Sequence, residues 1–165
     1  MFFITCINDI NYEAIADARL FHFGYPPLLK QFFINQGEQL IEMYSKINKM
    51  GIVSSLDFSL PDPESESGKT NWLEIMQKTL PFVDIFVPSV EELICIMSPE
   101  KYAAIQSALP KDKDIIEAIP VGLITEIGMR VIDSGVKILL VKAGKQGVYL
   151  FTGDVSWIRR SMLTP

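Results

Sequence analysis

The run Val136-Lys137-Ile138-Leu139-Leu140-Val141 constrains the fold more than any other stretch of the chain. Its nearly continuous apolar character is that of a strand buried on both faces, which belongs inside a parallel sheet and not in a half-exposed antiparallel one. Covering such a strand requires helices packed on the sheet, and a chain of 165 residues is long enough to supply them in one domain with its own core. A hydrophobic content of 48% against 21% charged residues agrees with a packed globular domain spanning residues 1–165.

The remaining periodicities supply the partners. Leu20-Phe21-His22-Phe23-Gly24-Tyr25 reads as a strand closed by Pro26-Pro27, and Ile52-Val53-Ser54-Ser55-Leu56-Asp57 and Asp84-Ile85-Phe86-Val87 read as two more. The central serine pair of the second suggests close packing more than catalysis. From Leu28 the period changes to a helical one, with Phe33, Leu40, Tyr44 and Ile47 on one line, Gly37 on the same line, and a stop at Gly51. Further helices are expected around Trp72, Ile75, Met76 and Leu80, from Ser89, from Ser98-Pro99, and through Leu123, Ile124, Ile127 and Val131 to Gly135. The segment from Leu60 to Lys69 is acidic and rich in Pro, Gly and Ser, so it is expected to be an exposed excursion that buries little. Gly147-Val148-Tyr149-Leu150-Phe151 and Val155-Ser156-Trp157-Ile158 suggest a closing hairpin across Thr152-Gly153-Asp154. Alternation of strands with helices predicts an α/β fold with right-handed crossovers and a mostly parallel sheet.

Several function classes are disfavoured. A net charge of −5 is a poor match for a nucleic-acid footprint, which needs a concentrated basic face. Cys6 and Cys95 form no paired metal motif, and with His22 the single histidine there is no zinc constellation. The apolar opening Met1-Phe2-Phe3-Ile4-Thr5-Cys6-Ile7 meets Asn8-Asp9 at once, too short for a membrane span and poor as a signal peptide. Two unstapled thiols fit a reducing compartment, so the expectation is a cytoplasmic protein without membrane or nucleic-acid partners.

Ligand sites of parallel α/β sheets sit beyond the carboxyl ends of the strands, which directs attention to three places. Ser89-Val90-Glu91-Glu92 reads either as a reciprocal capping box between Ser89 and Glu92 or as a carboxylate able to hold magnesium through water beside a phosphate. Lys142-Ala143-Gly144-Lys145-Gln146-Gly147 reads either as a tight connection between adjacent strands or as a phosphate loop, with Gly144 and Gly147 admitting a close ligand and Lys142 or Lys145 neutralising it. Asp57 ends a strand and either caps the following turn or reaches the same crevice. Gly68-Lys69-Thr70 imitates the tail of a P-loop, but Pro63 stands where the earlier glycine belongs and no strand runs into it. His22, Trp72 and Trp157 read as structural residues.

Taken in order, Phe21-His22-Phe23-Gly24-Tyr25-Pro26-Pro27, the stretch from Ser54 to Pro63, the segment from Trp72 to Glu92 and the stretch from Gly135 to Leu150 resemble the ribokinase-like, or PfkB, carbohydrate kinases. The resemblance implies a three-layer α/β/α fold and ATP- and Mg2+-dependent phosphoryl transfer to a sugar or nucleoside hydroxyl. That family's Asn-x-x-Glu motif maps onto Ser89 and Glu92, keeping the glutamate as the metal-organising residue. Its Thr-x-Gly-x-x-Gly element maps onto Lys142, Gly144 and Gly147 as nucleotide-binding positions, with lysine in place of threonine. Asp57 falls near an Asp-x-Asn-x-Arg segment in which Ser59 and Pro61 replace the asparagine and arginine. The amino-terminal sugar-binding region and lid and the late Gly-Ala-Gly-Asp motif, which carries the base, have no counterpart in the sequence. The expectation is therefore an incomplete ribokinase-like domain, inactive alone, or else a non-catalytic kinase-like binding or assembly protein, with an exposed sheet edge that invites self-association.

Overall fold

The computed structural model describes residues 5–110, 113–154 and 156. Five strands, β1 (Leu20–Phe23), β2 (Val53–Leu56), β3 (Ile85–Phe86), β4 (Ile138–Lys142) and β5 (Val148–Thr152), form one sheet in chain order. The first four are parallel and β5 returns antiparallel to β4. The helices are α1 (Glu38–Lys49), α2 (Trp72–Thr79), α3 (Val90–Met97), α4 (Pro99–Ala108), α5 (Ile115–Ala118) and α6 (Val121–Asp133).

Strand order equal to chain order means that every crossover steps the same way, and crossovers of one hand then lay their helices on one side of the sheet. Helices α1, α2, α3 and α6 do pack side by side. Register decides which residues they cover. Phe23, Leu56, Phe86, Leu139 and Phe151 are matched across the sheet, and the first four of these are buried. Tyr44 of α1 meets Phe21 edge-on at 6.4 Å and donates its hydroxyl to the Ser55 carbonyl at 3.0 Å. Gly128 of α6 lies so near the Phe151 ring that a Cβ would approach it to 2.7 Å.

Three expectations are corrected, and a fourth, the closing hairpin, falls largely outside the described residues. The alternating face of β4 is only half-buried at Ile138 and Leu140, so this strand is not sealed on both sides; Val148 and Leu150 on β5 continue that face and are exposed. Strand β5 pairs with β4 through the Lys142 to Gly147 connection, while the proposed partner run at residues 155–158 lies, apart from Ser156, outside the described residues. Residues 26–37 are short 3-10 turns instead of the start of α1. Asn35, Gln36 and Gly37 have φ of 51°, 58° and 73°, which no right-handed helix can pass through, and a Cβ at Gly37 would sit 2.5 Å from Ile75. The excursion after Leu60 is also better anchored than its composition suggests, because the Trp72 indole N–H donates to the Ser67 carbonyl at 2.8 Å and Pro61 and Ser67 are buried. Helix α1 stops before Gly51 as the sequence indicates.

The serine pair of β2 is structural. Asp84 is 3% exposed, and its Oδ2 accepts from the Ser54 backbone N–H at 2.9 Å and lies 3.1 Å from the Ser54 hydroxyl. The Asp84 N–H in turn donates to Ser54 Oγ, cross-linking β2 and β3 below their carboxyl ends.

Candidate functional site

Because β1 to β4 are parallel, their carboxyl ends share one rim, and the loops from β3 and β4 meet there directly. The Lys142 N–H donates to the Pro88 carbonyl at 2.9 Å, and Ser89 and Lys142 form a parallel bridge. Asp57, one residue past β2, joins them: Lys142 Nζ donates to Asp57 Oδ1 at 2.8 Å, with the lysine side chain 41% and the aspartate 17% exposed. Asp57 Oδ1 also accepts the Phe58 N–H at 2.8 Å, so the residue caps its own turn while reaching the lysine that ends β4. The rim thus brings together the carboxylate and the lysine that the sequence picked out separately.

Glu92 is held by the capping box. Its Oε2 accepts the Ser89 N–H at 2.7 Å, and Ser89 Oγ accepts the Glu92 N–H at 3.1 Å. Burial raises the Glu92 pKa above its ordinary value of 4.5, against the Ser89 bonds and the Lys142 charge, with Asp57 pushing it further up. Lys142, Asp57 and Glu92 therefore act on one another electrostatically. Among the described residues no group of three or more His, Cys, Asp or Glu is placed to hold a metal ion. A single carboxylate is nevertheless a sufficient protein contribution where magnesium is held mainly by phosphate and water.

The Ala143 to Gly147 turn is closed by its own backbone, Ala143 N–H to Gly147 O at 2.9 Å and Gly147 N–H to Gly144 O at 3.1 Å. Gly147 adopts φ 95° and ψ −136°, a conformation closed to other residues, so glycine is required by the turn itself. A Cβ there would meet nothing within 4 Å, and Gly144 is exposed, so the space over this turn is open. Lys145 is turned to Glu117 at 2.6 Å on the surface, leaving Lys142 as the lysine engaged with the rim.

His22 faces outward, its Nδ1 3.2 Å from Ser55 Oγ, in keeping with a structural role. Gly68 sits in a tight turn where a Cβ would approach the Asp62 carbonyl to 2.1 Å, unlike a phosphate loop. Tyr25 escaped the sequence reading. It follows β1 with φ 61°, is 49% exposed, and its N–H donates to the Asp57 carbonyl at 3.3 Å. A residue before proline ordinarily prefers extended backbone, so no local signal marked this left-handed aromatic at the rim.

Neither a family model nor a curated protein matches the chain. Solved structures do. A fructokinase from Xylella fastidiosa with bound ATP superimposes with a TM-score of 0.57 at 18% identity, over 89% of this chain and 38% of that one. A PfkB protein from a Polaromonas species gives 0.58 at 16% identity over 89% and 42%, and Arabidopsis thaliana ribokinase complexed with ribose and ATP gives 0.50 at 19% over 86% and 34%. The chain has the ribokinase-like α/β/α fold. Its mostly parallel sheet and the helices packed on it correspond to part of the three-layer arrangement of those structures, and it spans between 34% and 42% of their lengths. Among the described residues no helix is long and apolar enough to cross a membrane.

Proposed function

We propose that this chain forms the nucleotide-phosphate wall of an ATP- and Mg2+-dependent carbohydrate kinase whose acceptor is a sugar or nucleoside hydroxyl. The observation that carries the reading is the meeting of Lys142, Asp57 and the Ser89 cap at one rim of a parallel sheet, below an open glycine turn. In this reading Lys142 is held by Asp57 until an anionic phosphate offers a second partner. The exposed backbone at Gly144 and Gly147 allows the phosphate chain to approach without a Cβ in the way. Glu92, fixed by its own cap, would orient water around a magnesium ion, which when bound supplies charge neutralisation of the phosphates. The sequence contains no Gly-Ala-Gly-Asp motif to supply a base, so nucleotide binding without turnover is the proposed behaviour of the chain alone.

Calorimetric titration with ATP tests this directly, with magnesium-enhanced binding expected. Complete absence of binding would favour the second reading, a non-catalytic kinase-like assembly protein. That reading draws on the same geometry, since Glu92 is already engaged by the cap and Lys142 by Asp57. Robust phosphorylation of a sugar by the pure chain would overturn the proposed inactivity.

A further inference from the structure

Away from the rim, a cavity of about 570 Å3 opens between the segment after Leu60 and helices α2, α3 and α4. Its size lies within the range of about 300–1,000 Å3 that small-molecule sites occupy. Leu60, Leu73 and Trp72 contribute apolar wall, Glu91, Cys95 and Tyr102 contribute ionisable groups, and Thr70, Asn71 and Gln106 contribute neutral polar ones. Adjacent in sequence, Glu91 and Glu92 consequently serve different places: Glu92 caps α3 beside the rim, and Glu91 lines this cavity one step around the helix.

The hydrogen-bonding capacity of the cavity is lopsided. The Trp72 indole N–H is spent on the Ser67 carbonyl at 2.8 Å and its ring packs against Phe33 and Phe58, so Trp72 gives the cavity only an apolar ring edge. The Tyr102 hydroxyl proton is spent on Glu91 Oε1 at 2.8 Å. Among the described residues no lysine or arginine lines the cavity. What remains is the Glu91 carboxylate with accepting capacity, beside the neutral side chains of Thr70, Asn71 and Gln106, in a place where an anionic ligand would meet a like charge and, among the described residues, no cation.

We propose that this cavity binds a small ring-bearing primary amine, its apolar ring against Leu60 and Leu73 beside the Trp72 edge and its ammonium group on the Glu91 carboxylate. A charge-assisted contact in a partly desolvated site selects such a ligand over neutral and anionic molecules of the same shape. The rim residues take no part, so the outcome is independent of nucleotide binding.

Cys95 provides the readout. Burial, with Glu91 and Glu92, pushes its thiol up to about 11, so it reacts slowly and its modification rate reports access to the cavity. In a Cys6→Ser background, Cys95 modification by methyl methanethiosulfonate would be followed by mass spectrometry with benzylamine, benzyl alcohol or benzoate present at equal concentration. Benzylamine is expected to protect and the other two are not. Glu91→Gln is expected to weaken that protection about tenfold. Equal protection by all three compounds, no protection by benzylamine, or unchanged protection in Glu91→Gln would each overturn the proposal. Should Glu91→Gln fail to fold, the comparison of the three compounds on the Cys6→Ser protein decides alone.

Discussion

Lys142 and Asp57, 85 positions apart in the chain, are joined at 2.8 Å across the carboxyl ends of β4 and β2. The pair fixes a cation at the rim while leaving the lysine side chain 41% exposed. Such half-exposed pairs contribute little to stability, about 0–1 kcal/mol, because water screens them. Under the proposed function, Lys142 serves in this position as a charge that a phosphate can engage.

Lys142→Met should accordingly lower ATP affinity about tenfold, the scale of one charge-assisted contact, with little loss of fold stability. Calorimetry for binding and urea denaturation for stability separate the two effects. Unchanged affinity, or a stability loss of several kcal/mol, would show that the lysine is structural.

Glu92→Gln distinguishes the two roles of the glutamate. Glutamine can still accept the Ser89 N–H at the third position of a capping box, so stability at neutral pH should hold or rise slightly once the buried charge is removed. The magnesium-dependent part of ATP binding should disappear. Ser89→Ala should do the reverse, costing about 1 kcal/mol of stability through the lost cap while retaining the carboxylate. If both variants respond to magnesium as the parent does, Glu92 is a cap and nothing more.

Local chemistry made part of this arrangement legible in the sequence. The Ser89 to Glu92 cap needs four consecutive residues and was readable as such, as were the stop of α1 and proline at the start of α4. The rim position of the Lys142 loop followed from a strong strand emptying into glycine. The Lys142 to Asp57 bond was not readable, because it depends on three strands lying in register. The helical period extends α1 back towards Leu28 because Phe33 fits the apolar stripe, although three successive positive φ values separate Phe33 from the helix. The Glu91 cavity was likewise hidden, since α3, α4 and the excursion converge only in space.

Gly37 should be among the least replaceable residues outside the rim. Alanine there would meet a left-handed backbone and an overlap with the Ile75 side chain at 2.5 Å, within the interface of α1 and α2. A cost of about 1–3 kcal/mol for the backbone and packing together is expected. Gly147→Ala should carry only the backbone part, because nothing stands within 4 Å of its Cβ position. Thermal or urea melts that rank Gly147→Ala as the more damaging would contradict this assignment of causes.

Asp84 offers a pH test of the buried cross-link between β2 and β3. Burial raises its pKa above 3.8, while the Ser54 bonds and the Lys137 charge act in the opposite direction without cancelling the rise. A carboxyl that holds its proton more tightly when folded contributes stability that is complete below pH 3.8 and is lost as pH climbs through the folded value. Asp84→Asn retains an oxygen to accept the Ser54 N–H but carries no charge, so its stability should lack that decline and should gain on the parent as pH rises. Ser54→Ala, by contrast, removes a hydroxyl partner from the buried carboxylate and should cost about 1–3 kcal/mol at neutral pH. Urea denaturation from acid to neutral pH reads both effects, and parallel profiles for Asp84→Asn and the parent would mean that the carboxyl is not held as the geometry requires.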